Sequence, residues 1–284
     1  MKIGCCSVNF RQYSLDEAMG WISEGGFQYI ELEANLHWCN HADPRRDDPV
    51  KMKEKAKRFG LKISSLGSHR ELITDEEVNY DAVADIQNAI RWARAADIPI
   101  VVTGEGRKPK EMTVDEALSN IQKRLERIVP IAEECGVFLC FEPHGSISLA
   151  PGGLEKILSL VPSPWLGVNF DTANPRRGNF MHPTSRGLEW MLGEGLPQSD
   201  EVALLTPVAK RVKNVHFKDV VGKDAVSLGH GQVNLKGCLR VLHESGFEGV
   251  LSWQTEGFQS AEETRAWMKE SREFMMRAIE ELEG

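Results

Sequence analysis

The chain has 284 residues, with 34 Lys+Arg against 42 Asp+Glu and a formal net charge of −8. Hydrophobic residues make up 41% and charged residues 27%, which suits a large buried core and weighs against disorder. The acidic balance argues against a general nucleic-acid binder, which needs a Lys/Arg surplus, and no apolar run approaches the ~20 residues that cross a bilayer. A small molecule is therefore the expected partner. The segment Met1-Lys2-Ile3-Gly4-Cys5-Cys6 enters a strand-like pattern at once and leaves no room for a signal peptide. Cys5, Cys6, Cys39, Cys135, Cys140 and Cys238 form no C-x-x-C pair, and several sit in apolar strand runs. This pattern predicts reduced cysteines and a cytoplasmic protein.

Strand-like runs are predicted at Lys2–Val8, Tyr29–Ala34, Lys62–Leu66, Ile98–Thr103, Phe138–Glu142, Gly167–Asp171, Asn214–Lys218 and Val250–Gln254. Amphipathic helical stretches separate them. Such alternation implies parallel pairing through right-handed crossovers. Eight units predict an α/β fold, a (β/α)8 TIM barrel, with residues 1–284 forming a single domain. A doubly wound open sheet is the alternative, but the first turn, Ser7-Val8-Asn9-Phe10-Arg11, lacks the glycines of a nucleotide-binding turn. Ser14-x-x-Glu17, Thr113-x-x-Glu116 and Ser260-x-x-Glu263 read as capping boxes. Gly25-Gly26, Gly60 and Gly136 stand where helices should end. Leu118, Ile121, Leu125, Ile128 and Ile131 make a helical stripe, with Pro130 expected to kink that helix. The long excursion from Pro175 to Pro197 follows a strand end, and so belongs to the mouth of a barrel as a lid, a substrate wall or a surface excursion.

The strand ends are polar in a way a plain core does not require. They read Ser68-His69-Arg70, Gly104-Glu105-Gly106, Glu142-Pro143-His144, Asp171-Thr172-Ala173-Asn174, His216-Phe217-Lys218-Asp219 and Gln254-Thr255-Glu256. In a parallel barrel these ends converge on one mouth. Carboxylates gathered there repel one another unless something neutralises them, and a divalent cation does so. Each residue singly is weak evidence: His216 alone reads equally as a core histidine. A purely structural ion-pair layer would need more Arg or Lys than Lys218 alone supplies. A mixed N/O donor set suits Mn2+ first, with Mg2+, Co2+ or Zn2+ as alternatives.

From Phe141-Glu142-Pro143-His144 through Phe170-Asp171-Thr172-Ala173-Asn174 and Val215-His216-Phe217-Lys218-Asp219 to Leu228-Gly229-His230-Gly231 and Glu248-Gly249-Val250-Leu251-Ser252, the chain resembles the xylose isomerase-like TIM-barrel superfamily of sugar isomerases and epimerases. The resemblance implies one metal ion on Glu142, Asp171 and His216. The family's fourth ligand, a strand-eight Glu, falls on Gln254, with Glu256 two residues later. An amide oxygen can coordinate a hard cation but cannot take up a proton, so Gln254 is expected at the metal and Glu256 beside the substrate as an acid. The endonuclease IV-type DNA-repair branch carries further histidines where this chain has Asn174 and Lys218, so DNA repair is disfavoured.

The resemblance implies proton transfer next to the carbonyl of a small sugar or keto-sugar through a metal-stabilised enediolate. Glu142 would be base as well as ligand, and His69, Glu105, Asn174 and Lys218 would hold substrate oxygens. A lyase or dehydratase with His144 as base is the alternative, because some relatives also carry His two residues after the strand-five Glu. A non-catalytic sugar-binding barrel is the third reading. The family's habits imply a homo-oligomer, with no nucleic-acid or membrane partner.

Overall fold

The computed structural model describes residues 1–35, 38–74, 81–177, 179–184, 187–192 and 199–283, with backbone alone for 177–192 and for 283. Along the chain, strands and helices alternate as β1 (Lys2–Cys6), α1 (Leu15–Glu24), β2 (Tyr29–Asn35), α2 (Pro49–Arg58), β3 (Lys62–Gly67), α3 (Ala82–Ala95), β4 (Ile100–Gly104) and α4 (Val114–Cys135). The second half continues with β5 (Phe138–Glu142), α5 (Gly153–Leu160), β6 (Leu166–Asp171), α6 (Glu201–Leu205), β7 (Val212–Phe217), α7 (Leu235–Glu244), β8 (Val250–Trp253) and α8 (Ala261–Glu283). Each labelled strand pairs in parallel with the next, and β8 pairs with β1, which also pairs with β2. The sheet is therefore a closed single-domain TIM barrel with its helices outside.

Local sequence sets these elements. Ser14 and Thr113 accept hydrogen bonds from the Glu17 and Glu116 N–H groups, and the glutamates bond back, completing two capping boxes. At the last helix Ser260 Oγ accepts from Glu263 N at 3.2 Å. Gly136 ends α4 in the left-handed region at φ 62°. α4 runs unbroken through Pro130, and it buries Ile121, Leu125 and Ile128 while Leu118 and Ile131 pack at the edge of the core. The first strand is shorter than its apolar pattern, because Ser7–Phe10 turn into a 3-10 helix over the barrel mouth. Two short strands, Asn179–Thr184 and Gly187–Leu192, form an antiparallel hairpin within the Pro175–Pro197 excursion. Residues 178, 185, 186 and 193–197 of that excursion lie outside the described residues.

The outer faces of the strands meet the helices in one apolar core. Inside the barrel, Ile100, Val102 and Cys140 pack together on β4 and β5. Polar groups also lie within it: Glu31, Ser65, Asn169 and Asn214 are fully buried and hydrogen-bonded to one another. Register places the site above them. Gly104 pairs with Glu142, and His216 pairs with Asp171 on one side and Ser252 on the other.

Candidate metal centre and active site

Glu142 and Asp171 end β5 and β6, His216 is the last residue but one of β7, and each offers a ligand atom within 4.8 Å of the others. His216 is almost wholly buried. Its Nε2 lies 2.7 Å from Glu31 Oε1, and its Nδ1 lies 3.2 Å from Glu142 Oε2 and 3.9 Å from Asp171 Oδ2. Glu31 is itself held by Ser65 Oγ and by Asn214 Nδ2, both at 2.8 Å. A carboxylate that takes one imidazole N–H turns the other nitrogen toward the neighbouring carboxylates, as in metal-binding histidines. Nδ1 is buried and makes no hydrogen bond of good geometry. This inward-facing nitrogen between two carboxylates fits a divalent ion. Burial alone would lower the His216 pKa, but Glu142 and Glu31 together raise it well above the ordinary imidazole range.

Glu142 is the hub of the mouth. Its Oε2 accepts from His69 Nε2 at 3.0 Å and Asn169 Nδ2 at 3.2 Å, and its Oε1 accepts from Asn174 Nδ2 at 3.1 Å. Burial would raise this carboxyl, but His216 and His69 hold it well below the usual range. Asn35 sets His69, donating to its Nδ1 at 3.3 Å and accepting its backbone N–H at 2.7 Å. The His69 Nε2 therefore carries the proton it donates to Glu142. Asp171 Oδ1 accepts from the N–H groups of Ala173 and Asn174. Its Oδ2 faces His216 and, at 2.8 Å, the Lys218 ammonium.

His144 lies beyond Glu142, its ring 5.4 Å from the His69 ring and roughly perpendicular to it. Its Nδ1 is 3.1 Å from the Glu142 carbonyl, so it must be the protonated nitrogen and Nε2 carries the basic lone pair. Burial, and then His69, push its pKa down to about 4. The ring has room because position 104 is glycine: a Cβ there would stand 1.9 Å from His144 Cε1.

The two strand-eight candidates separate in space. Gln254 reaches toward β1, with its Nε2 3.9 Å from Cys6 Sγ. Glu256 has φ 74°, a left-handed backbone rare for a side-chain-bearing residue. Arg11 Nε bonds its carbonyl, and Asn9 holds the neighbouring Thr255 N–H. In this pose the buried Glu256 carboxylate meets Lys218 Nζ. Lys218 thus joins Asp171 to Glu256 across the mouth.

Glu105 is placed apart from the cluster. Its two oxygens accept the N–H groups of Ile147 and Ser148, each at 2.9 Å, anchoring the loop that carries His144. Burial raises its carboxyl to about 7 against those donors. Asn174 is hydrogen-bonded to Glu142 and to the Pro143 carbonyl.

Sequence reasoning overlooked Glu31, Glu33, Asn169 and Asn214. Glu33, beside Cys6, is buried, and burial followed by the charge of Glu31 raises its carboxyl to about 7. The signal was the alternation Tyr29-Ile30-Glu31-Leu32-Glu33-Ala34, since a barrel strand covered by helices outside must turn its polar face inward.

The model of the xylose isomerase-like TIM barrel family matches residues 19–278. The chain belongs to this family. An uncharacterised protein of Methanocaldococcus jannaschii is 26% identical over 295 residues, covering 100% of this chain and 93% of that protein. The solved structure of a D-tagatose 3-epimerase-like protein shares the fold with a TM-score of 0.75 at 22% identity, covering 100% of this chain and 98% of the other. A mannonate dehydratase of Geobacillus thermodenitrificans is 26% identical over 160 residues, 50% of this chain and 38% of that enzyme.

Proposed function

We propose that this protein is a divalent-metal-dependent isomerase or epimerase of a small sugar or keto-sugar. The observation that carries the reading is His216 Nδ1, turned by Glu31 toward Glu142 and Asp171 at the barrel mouth. Glu142, Asp171 and His216 would hold the ion, with Gln254 supplying an amide oxygen. Bound there, a divalent ion supplies a Lewis acid that offsets charge developing on neighbouring sugar oxygens. Glu142 is ionised and so able to take the proton next to the carbonyl and return it to the adjacent carbon or the other face. His69 orients Glu142 through its Nε2–H. Lys218 and Asn174 line the same space and are suited to holding hydroxyls. Glu256, in contact with Lys218, would stand beside the substrate as a second carboxylate.

A second reading has support from His144. Its Nε2 is left basic by the Nδ1 bond to the Glu142 carbonyl, and a neutral imidazole there can take a proton and help expel a hydroxide, as in a dehydratase. Turnover of a panel of keto-sugars, with EDTA and after readdition of Mn2+, tests both readings. The isomerase reading expects a product of unchanged mass, lost with EDTA and restored by Mn2+. A product lighter by one water would replace it with the lyase. Turnover indifferent to EDTA would overturn the metal assignment.

A further inference from the structure

The loops after β1, β2 and β8 meet at one side of the mouth, and they build a feature the proposed reaction leaves unused. The Arg11 guanidinium carbon lies 4.0 Å from the centre of the Trp38 ring and 4.7 Å from that of Phe258. The two rings are 5.6 Å apart. Arg11 Nε donates to the Glu256 carbonyl at 3.0 Å, and Arg11 N donates to Val8 O at 3.0 Å. Two aromatic contacts and one edge of the guanidinium are thus fixed. Other part-buried or buried arginines find acceptors within the protein: Arg70 meets Asp85 and Arg176 meets Glu201, while Arg211 donates to the Ser163 and Leu166 carbonyls. Among the described residues Arg11 makes no salt bridge, and its two Nη groups have no acceptor there.

A guanidinium half-buried against aromatic rings, with the Glu256 charge nearby but no carboxylate in contact with its Nη groups, keeps those donors for an acceptor arriving from outside. Its planar fork matches carboxylate or phosphate oxygens in a bidentate pair, and holding it rigid beforehand reduces the entropy lost on binding. The rest of the mouth is rich in carboxylates, and Lys218 is engaged with Asp171 and Glu256. An anion is therefore admitted only beside a cation kept for it. Phe258, 47% exposed, gives that place an apolar flank. Arg11 is also next to the chemistry, since the residue whose carbonyl it holds is Glu256.

We propose that Arg11 recognises an anionic group of the substrate, so that the sugar is an acid or a phosphate ester rather than a neutral sugar. The sugar part of this statement rests on the isomerase reading, whereas the anion part does not. Isothermal titration with D-fructose, D-fructose 6-phosphate and D-glucuronate tests it without turnover. The wild type should bind one anionic probe about 10- to 100-fold more tightly than D-fructose, the range of a charge-assisted pair. The probe preferred tells phosphate from carboxylate. In Arg11→Gln that ratio should fall to near one. Should Arg11→Gln fail to fold, as judged by its melting curve, Arg11→Lys decides: the ratio should drop severalfold, because an ammonium cannot make the bidentate pair. Absence of binding by either anionic probe, or a ratio unchanged in the variants, overturns the proposal. An Arg11-dependent preference in a protein that turns over no sugar would keep it and end the isomerase reading.

Discussion

Replacing Glu31 by Gln tests the strut beneath the proposed metal centre. The perturbed contact is the 2.7 Å pair between Glu31 Oε1 and His216 Nε2, with both side chains buried. In the variant the carboxylate charge is lost, and the new amide group meets the Asn214 Nδ2 or Ser65 Oγ donor that Glu31 accepts at 2.8 Å. A hydrogen bond to a charged group contributes about 1.5–3 kcal/mol. Loss of a carboxylate behind a ligating imidazole lowers metal affinity by about 10- to 100-fold. The two ranges agree, because 1.4 kcal/mol is about tenfold. The assay is Mn2+ affinity by competition with a chelator, run beside 15N resonances of His216 in the ion-free protein. Glu31→Gln should weaken binding by about 10- to 100-fold and shift the balance of the two His216 nitrogens. Ser65→Ala, which leaves the carboxylate in place, should cost less than Glu31→Gln. A folded Glu31→Gln protein with wild-type affinity would refute the reasoning.

Four further outcomes are expected. His144→Ala should keep its metal, by elemental analysis, yet lose turnover by on the order of 10²-fold; loss of the metal would instead make His144 a ligand. Gly104→Ala should mimic it, since the added methyl would stand 1.9 Å from His144 Cε1, and wild-type turnover would show that the ring's position is immaterial. Gln254→Ala should weaken metal binding while Glu256→Ala spares the metal and slows turnover, and the reverse pattern would exchange the two roles. Glu105, raised to about 7 by burial, is protonated in the folded state at a pH where the unfolded chain has released its proton. Its contribution is therefore complete below the unfolded value near 4.5 and fades as pH rises through about 7, by at most on the order of 3 kcal/mol. The melting temperature should fall across that window, and the Glu105→Gln profile should be flatter; parallel profiles would contradict the assignment.

The barrel was legible because its signals are local and repeated. Alternating apolar runs give strands, Ser14 and Thr113 cap helices, and Gly136 ends one. The convergence of Glu142, Asp171 and His216 follows from their places at strand ends, which a parallel barrel must bring together. Glu31 was hidden because a glutamate alternating with apolar residues reads as a solvent-facing side chain until the strand's outer face is known to be covered. Glu105 illustrates the opposite difficulty. Its strand-end position is that of a substrate ligand, but the loop after β5 folds back and gives its oxygens two backbone N–H groups. The Lys218–Glu256 contact depends on the left-handed backbone at Glu256, held by Arg11 from the far end of the chain. No pattern in a single stretch of sequence carries such a contact.

Solvent exchange tests the central claim most directly. Mn2+-loaded protein is incubated in deuterium oxide with keto-sugars, neutral and anionic, and the carbon next to the carbonyl is followed by NMR. The account predicts deuterium at that carbon, abolished by EDTA and lost in Glu142→Gln when that variant is loaded with metal. Label entering at an equal rate in Glu142→Gln or in EDTA, or no label from any sugar that the protein binds, would contradict it.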